Sequence, residues 1–379
     1  MIGAAENARL ARRLEFLAAD PENLNLLAEC ADLALFLGRT GEAKALVERG
    51  LKLSPQDRHF RARLASASLA AGEVAEALAI LESLVHEGEA AAEVTYNLAY
   101  ALTLAQRYSE AKERLVPIAD DMPRAAMLLI RVHHHLGELD QAIALAERYS
   151  GAYPEDGEVS AQLAMLYLDA ADFTRARAWS DKALGCAKKT PEAYSTAGFL
   201  ALGDEDEDGA DTLFGQAVEL NPRSGRAWAG KGLATMLRGD LASAEDHLKR
   251  AVEYLPRHIG TWHVLACCQL LRGKLDDAEA SVRKAYELDR TVGETHGALA
   301  VIEIMRGAGP HVRRRIETAL RLNTNSFSAR YAKMLLEAKD ENARAQGMRA
   351  ILASQRALRN GTLLDTLSRR AARERKHSS

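Results

Sequence analysis

Residues 224–256, SGRAWAGKGLATMLRGDLASAEDHLKRAVEYLP, are followed by residues 258–288, HIGTWHVLACCQLLRGKLDDAEASVRKAYEL, and the two stretches share one pattern. Each stretch contains a tryptophan, a small residue, a glycine and two alanines in the same order. Each of these residues is separated from the corresponding residue of the other stretch by the same number of positions, which is the separation of Trp228 and Trp262. A fixed period of about 34 residues is typical of repeat arrays, in which every unit is one supersecondary element. The pattern therefore decides the fold class before any single helix is considered.

The period extends along most of the chain. Eight alanines mark it at the same step, apart from one step between Ala111 and Ala142 that is three residues shorter, and Val312 takes the ninth place. A small residue stands twelve positions before eight of these nine places, a glycine five positions before six, and a proline twelve positions after five. The alanines are Ala43, Ala77, Ala111, Ala142, Ala176, Ala210, Ala244 and Ala278.

Each unit is predicted to be a helical hairpin. Small residues let two helix backbones approach closely, glycine forms the turn between them, and proline ends the second helix because it cannot donate the helical hydrogen bond. Larger residues have the spacing to fill the remaining space, as Leu265 does between Leu248 and Val282. One hairpin alone leaves an apolar face exposed, so neighbouring hairpins must stack.

These positions resemble the tetratricopeptide repeat family. The best matches are residues 190–201, TPEAYSTAGFLA, and the run Trp228, Gly232, Gly239, Ala244, Leu248, Ala251 and Pro256 with its counterpart one period later. The resemblance covers roughly residues 21–357 and implies an all-α, right-handed superhelical solenoid of about nine to ten units with capping helices. In this family the first helix of each unit lines a concave wall that binds partner proteins.

The repeat phase divides the chain into four segments. Residues 1–20 are predicted to form an N-terminal capping helix, residues 21–123 repeats 1–3, and residues 124–325 repeats 4–9. Residues 326–379 are predicted to hold a degenerate repeat, a C-terminal capping helix and a basic tail. The short step removes three residues from the start of the fourth unit, so we expect a changed stacking angle and a hinge near Pro123.

Charge and composition exclude several classes of protein. A net charge of −3 over 379 residues argues against a general nucleic-acid binder, which needs a basic face. The sequence has no uninterrupted apolar run of the length that a membrane span needs, so we expect none, and Glu6, Arg9 and Arg12 occupy positions where a signal peptide is apolar. Four cysteines without a CxxC pair are typical of reduced thiols, and we expect a cytoplasmic protein.

The candidate partner-binding groove consists of first-helix residues that hairpin packing does not use. It is predicted to be more polar in the first three units and more apolar in the last three. An exposed apolar stripe of this extent usually marks a binding site, here for an amphipathic helix or an extended apolar segment. In the alternative interpretation the terminal helices cover the stripe and make it core. The predicted groove residues are Tyr96, Asn97, Tyr100, Leu233, Met236, Leu237, Val264, Cys267, Leu270, Leu271, Val301, Ile304 and Met305.

Two local motifs resemble metal sites only superficially. Residues 204–209, DEDEDG, match the start of a calcium-binding loop, but Gly215 occupies the position that must supply a bidentate glutamate. We therefore interpret them as a solvated acidic turn. His133, His134 and His135 are consecutive on a predicted helix and point about 100° apart, so they cannot converge on one ion. They are either packing histidines or groups whose protonation tunes binding.

The basic tail is a further candidate for contact with other molecules. Residues 356–379 carry seven arginines and lysines against two acidic residues. Such a segment is either a soluble cap or a contact for an anionic membrane, nucleic acid or an acidic partner.

The leading functional hypothesis is a non-enzymatic scaffold or adaptor that binds a protein segment in its groove. One alternative is a cytoplasmic chaperone for an export, secretion or envelope-assembly system. Another is the regulatory subunit of a separate catalytic chain. No nucleophile–base pair, phosphate loop or metal-ligand spacing is compatible with the repeat phase, so we predict no catalytic residue, cofactor or metal.

Overall fold

The structure, a computed structural model, describes residues 2–89, 91–187, 189–307 and 309–354. Within these ranges all regular structure is helical. Helix α1 (Ile2–Ala19) precedes ten helical hairpins, each made of a first and a second helix. The chain is therefore an all-α repeat solenoid, as the period predicts.

The hairpins divide into two compact units on either side of the bond between Pro154 and Glu155. Hairpins 1–4 form the N-terminal unit and hairpins 5–10 the C-terminal unit. The N-terminal hairpins are α2 (Leu24–Phe36) with α3 (Thr40–Leu53), α4 (Arg58–Ala71) with α5 (Val74–His86), α6 (Ala92–Leu104) with α7 (Tyr108–Leu115), and α8 (Pro123–His135) with α9 (Leu139–Ala152).

The C-terminal unit has six hairpins. They are α10 (Gly157–Asp169) with α11 (Phe173–Gly185), α12 (Pro191–Gly203) with α13 (Glu207–Leu220), α14 (Gly225–Leu237) with α15 (Leu241–Tyr254), α16 (Ile259–Leu271) with α17 (Leu275–Leu288), α18 (Gly293–Met305) with α19 (Val312–Leu322), and α20 (Phe327–Glu337) with α21 (Glu341–Ser354).

The periodic small residues lie where the helices touch. All eight alanines of the period are fully buried, and Val312 is 3 % exposed. Glycine is required at one close approach, because a methyl group on Gly230 would come within 2.1 Å of the Phe214 ring. Large residues fill the spaces between these contacts, and Leu248 and Leu265 share one buried cluster. The core of each unit is therefore a series of small clusters in succession along the stack.

In each of the nine periodic units, the turn between the two helices contains one residue in the left-handed backbone conformation. This residue lies five positions before the periodic alanine or its counterpart Val312. Glycine occupies this place in six of the nine periodic units, with φ between +73° and +106°. The other three units have Gln106, Ala171 and Glu205 there, and these adopt φ of +61°, +59° and +62°. The turn geometry is thus imposed by the packed hairpin even where the residue disfavours it.

The three residues that the fourth unit lacks are missing from the loop before its first helix. Helix α7 ends early at Leu115 and a 3-10 turn, Val116–Ile118, follows it. Helix α8 begins directly at Pro123, whereas α4 begins three residues after Pro55, and α8 still has the usual 13 residues. The division of the chain lies one hairpin after the predicted hinge near Pro123, which stays a prediction.

Both ends of the array carry additional helices. Helix α1 packs Leu10 and Leu17 against Leu27 and Cys30 of α2, as expected for a cap. Helices α20 and α21 form a tenth hairpin in the predicted degenerate repeat. The predicted final helix and the basic tail, residues 356–379, lie outside the described residues.

Exchanging the turn residues should change stability in opposite directions. The left-handed conformation costs a non-glycine residue about 1–2 kcal/mol, whereas glycine loses about 0.5–1 kcal/mol in unfolded-state entropy. We therefore expect Ala171→Gly to stabilise the chain by about 0.5 kcal/mol and Gly273→Ala to destabilise it by about 1 kcal/mol. The Gly273 position has room for a methyl group, so only the backbone is tested. Urea denaturation measures both, and a loss of stability in Ala171→Gly contradicts the explanation.

Candidate functional site

The first helices of neighbouring hairpins form one layer in each unit, in which α16 and α18 are joined by a hydrogen bond between His263 and Thr295. In the N-terminal unit α2 contacts α4, α4 contacts α6, and α6 contacts α8; in the C-terminal unit α10 contacts α12, α12 contacts α14, α14 contacts α16, and α18 contacts α20. Nowhere in the described part of the chain do two second helices approach as closely. We call the surface of this layer that faces away from the second helices the inner face.

Large apolar side chains are exposed at one repeated position of the inner face. This position is the last residue of the first helix. In the C-terminal unit Leu237, Leu271 and Met305 are 37 %, 61 % and 53 % exposed, and we call these three residues the rungs. The same position in the N-terminal unit holds Phe36 and Leu104, which are also exposed. A row of exposed apolar residues at a fixed step is a candidate contact surface for another molecule.

Other predicted groove residues of the C-terminal unit contribute to packing. Leu233 packs on the cluster around Phe214, and Met236 and Val264 pack on the cluster around Leu248. Leu270 packs on the cluster that contains Val282. These four side chains are half-buried. They therefore form the base of the inner face, and its exposed part is narrower than the sequence pattern suggests.

The terminal hairpin covers part of the predicted stripe. Val301 is 5 % exposed and lies with Ala332 of α20 in one cluster, against which Ile304 packs. Helix α20 approaches α18 so closely that a methyl group on Gly297 would meet backbone atoms of Ala329. The interpretation of the stripe as core thus fits Val301, whereas Leu271, Met305 and Cys267 remain exposed.

The predicted residues of the N-terminal unit occupy a more polar surface. Asn97 Nδ2 donates a hydrogen bond of 3.2 Å to Ser66 Oγ on the preceding first helix. Tyr96 and Tyr100 are half-buried, and the Arg124 guanidinium lies 4.5 Å from the centre of the Tyr96 ring. Adjacent inner helices are joined here by polar contacts between their side chains, so these groups already satisfy part of one another's bonding capacity.

Each rung is followed directly by an arginine that binds the preceding hairpin. Arg238 Nη1 lies 3.2 Å from Asp211, Arg306 Nη1 lies 2.7 Å from Glu279, and Arg272 Nη1 pairs with Glu245. The three carboxylates all follow a periodic alanine by one residue. The residues predicted from the sequence do not include this row, although the repeated triplets LRG, LRG and MRG at 237–239, 271–273 and 305–307 indicate it.

The charge order of this pairing reverses between hairpins 5 and 6. There the residue after the alanine is Arg177, and the residue after the first helix is Asp204, which its guanidinium contacts at 2.5 Å. The residue after the periodic alanine and the residue after the next first helix thus form an ion pair in four successive interfaces. The residue after the alanine is the cation in one of them and the anion in the other three.

Glu245 is the most deeply buried of these carboxylates. Its side chain is fully buried and receives Lys249, Arg272 and Lys274. Burial raises the pKa of Glu245, but hydrogen bonds from Lys249 and Lys274 outweigh that effect and lower the pKa to about 2. The ionised form is therefore the one that holds hairpins 7 and 8 together.

Two titratable side chains of α16 near the rungs have pKa values shifted towards the neutral form. Desolvation raises the pKa of the Cys267 thiol, so it stays protonated and is a poor nucleophile at neutral pH. Burial lowers the pKa of His263, whose Nε2 lies 2.8 Å from Thr295 Oγ1 on the next first helix. This neutral imidazole joins α16 to α18 across the inner layer.

The superficial metal motifs have structural roles. Asp206 Oδ1 accepts a hydrogen bond from Gly209 N and caps α13. His133 Nδ1 lies 2.5 Å from Glu138, and the His135 ring stacks on Tyr108 with ring centres 4.6 Å apart. The described residues contain no cluster of three metal-ligating side chains. None of the helices in the described ranges is long and apolar enough to cross a membrane.

The fold and its exposed row together define a helical repeat scaffold with an interaction surface. A tetratricopeptide repeat family model matches residues 30–92, 105–157 and 198–258. The chain therefore carries tetratricopeptide repeats in these segments, as its period and motifs indicate. Such repeats generally form protein–protein interaction scaffolds and are typically non-enzymatic. No curated protein sequence matches the chain.

Solved structures share the fold at low sequence identity. A monomeric mutant of IFIT1 with Gppp-AAAA has a TM-score of 0.60 and 14 % identity, covering 93 % of this chain and 90 % of that one. The human IFIT1 dimer with PPP-AAAA has a TM-score of 0.58 and 16 % identity, covering 93 % and 92 %. At such identities the likeness shows the architecture alone.

Two leucines of α16 should respond very differently to truncation. Leu265 is 3 % exposed and Leu271 is 61 % exposed. We expect Leu265→Ala to destabilise the chain by roughly 2–5 kcal/mol, because it leaves a cavity. Leu271→Ala should change stability by less than about 0.5 kcal/mol. Equal losses in chemical denaturation would mean that Leu271 is packed, and would remove the rung from the candidate surface.

Neutralising Glu245 should cost stability in a pH-dependent manner. We expect Glu245→Gln to lower the free energy of unfolding by about 2 kcal/mol at pH 7, because three cations lose their buried anion. Since the folded-state pKa is about 2, the wild-type advantage is full above the ordinary glutamate pKa of 4.5 and shrinks as the pH falls towards 2. Thermal unfolding of both proteins between pH 7 and pH 3 measures this difference in stability between the wild type and Glu245→Gln. Glu279→Gln is the control with a smaller expected loss, because Arg306 keeps Asp276.

Proposed function

We propose that the protein is a non-enzymatic adaptor that binds a segment of a partner protein along the rungs of the C-terminal unit. The observation that carries the proposal is the exposure of Leu271 and Met305 at equivalent positions of neighbouring repeats. Burial of such side chains by a partner removes apolar surface from water and contributes to affinity. The base of half-buried residues beneath them holds the surface in place before binding.

The neighbouring groups support a protein ligand. Exposed apolar side chains alternate here with arginines, and protein interfaces are enriched in arginine and depleted in lysine. Met305 has an unbranched, polarizable side chain that adapts to different contact shapes. Tyr96, Asn97 and Tyr100 are proposed as a second contact surface, which belongs to the N-terminal unit.

A nucleic-acid ligand fits this surface less well. The IFIT1 structures contain Gppp-AAAA and PPP-AAAA, and ligands that carry phosphates require cations aimed at them. Here the exposed rungs are apolar, and Arg272 and Arg306 are already paired with carboxylates of the preceding hairpin.

Introducing charged side chains at two rungs should abolish binding of the partner protein. We expect Leu271→Glu combined with Met305→Glu to reduce partner recovery by at least about tenfold, because an apolar contact is replaced by a buried charge. Affinity purification of the full chain from its own cells with mass spectrometry measures this, and circular dichroism verifies the helices. Leu220→Glu, at an exposed leucine on a second helix of the same unit, is the control. An unchanged partner list in the double variant would rule out the rungs as the binding site.

A further inference from the structure

The second helix of hairpin 9 begins later than the second helices of the other periodic units. In eight of the nine units it begins two residues after the left-handed turn residue, as α17 does at Leu275. Helix α19 begins at Val312, five residues after Gly307. Gly309 stands at the repeat position of Leu275 and precedes Pro310, and glycine before proline disfavours the helical conformation. Hairpin 9 therefore lacks the first turn of its second helix.

The missing turn leaves a cleft beside α18. The cleft has a volume of about 480 Å³ and is lined by residues of α17, α18 and α19 together with Gly309. In hairpin 8 the side chain of Leu275 packs on the cluster that contains Val282. A methyl group on Gly309, in contrast, would meet no atom within 4 Å. Because α17 and α19 are second helices, the cleft does not belong to the inner face.

The cleft has the size and the apolar lining of a small-molecule site. Such sites have volumes of about 300–1,000 Å³ and combine apolar walls with a few polar groups. Here Leu299 and Ile302 are 8 % and 1 % exposed, and Tyr286 is half-buried beside them. These three side chains can bind an aliphatic or aromatic group, because contact with them removes its apolar surface from water.

The cleft also carries an ion pair that the preceding hairpin lacks. Arg315 Nε donates a hydrogen bond of 2.7 Å to Glu303 Oε1, and these side chains are 30 % and 32 % exposed. The equivalent positions of hairpin 8 hold Ser281 and Gln269, which are buried and joined by a hydrogen bond of 2.7 Å between their side-chain oxygens. Hairpin 9 therefore has an accessible ion pair where hairpin 8 has a closed neutral contact.

The charges that line the cleft favour an anion. Two further arginines, Arg283 and Arg306, share the carboxylate of Glu279, so the lining contains three guanidinium groups and two carboxylates. Asp276, the other partner of Arg306, is 96 % exposed, where water screens its charge. Among the described residues Arg315 donates through Nε alone, which leaves both of its Nη groups for a ligand. A guanidinium binds carboxylate and phosphate groups through paired N–H donors.

We propose that this cleft binds a small organic anion. The aliphatic or aromatic body of the ligand contacts Leu299 and Ile302, and its carboxylate, phosphate or sulfonate group accepts hydrogen bonds from the Nη atoms of Arg315. The site uses none of the rungs, so it is independent of the proposed function.

Fluorescence titration of the full chain with anilinonaphthalene sulfonate tests the proposal, and phenylnaphthylamine, a similar aromatic body without the sulfonate, is the neutral comparison. Gly309→Leu places in the cleft the side chain that hairpin 8 has there, at a residue whose backbone is not left-handed. Gly41→Leu is the matched control, because this glycine also lies in open space near the start of a second helix. Glu303→Gln with Arg315→Ser reproduces the neutral pair of hairpin 8.

We expect Gly309→Leu to weaken binding of the sulfonate by at least about tenfold, whereas Gly41→Leu and Leu271→Glu change it by less than about twofold. Glu303→Gln with Arg315→Ser should weaken the sulfonate by at least about tenfold and the neutral probe by less than about twofold. Circular dichroism verifies the fold of each variant.

Three results would overturn the proposal. The first is an absence of saturable sulfonate binding to the wild type. The second is sulfonate binding that survives Gly309→Leu or is lost in Leu271→Glu, which would place the probe on another surface. The third is an equal effect of Glu303→Gln with Arg315→Ser on the two probes, which would remove the preference for an anion. Since these variants leave the rungs intact, the test of the proposed function is unaffected by any of these results.

Discussion

The whole structure depends on the close contact between helices at the periodic alanine. All eight of these alanines are fully buried, and Val312 occupies the same place in the ninth unit with 3 % exposure, so each of these units has one side chain enclosed between helices at this position. The buried place recurs once in each of the nine periodic units. At a different contact Gly230 lies against the Phe214 ring, where one methyl group would clash.

Close packing leaves the residue at the end of each first helix outside the core. The left-handed turn follows immediately, and the second helix then runs back along the first. Leu271 and Met305 thus point away from the contact that holds the hairpin together, whereas Leu265, on the same helix as Leu271, is buried. Exposure of apolar groups is a consequence of the hairpin geometry, and the proposed function uses the surface that results.

Charge pairs recur at the contacts between successive hairpins of the C-terminal unit. Arg238, Arg272 and Arg306 each bind a carboxylate of the preceding hairpin, and Arg177 with Asp204 reverses the order. A hairpin shifted by one unit across that reversal would place like charges opposite each other, which disfavours the wrong register.

The sequence by itself determined the repeat, the helical hairpins and the family, because a constant period with small residues at set places has one packing solution. It also indicated the face of the first helices on which exposed residues occur. Only the tertiary structure decided that Val301 is buried by α20 while Leu271 and Met305 remain exposed, since burial depends on neighbours distant in sequence. The left-handed turns at Gln106, Ala171 and Glu205 and the arginine pairs likewise required the packed hairpins, because no local propensity predicts them.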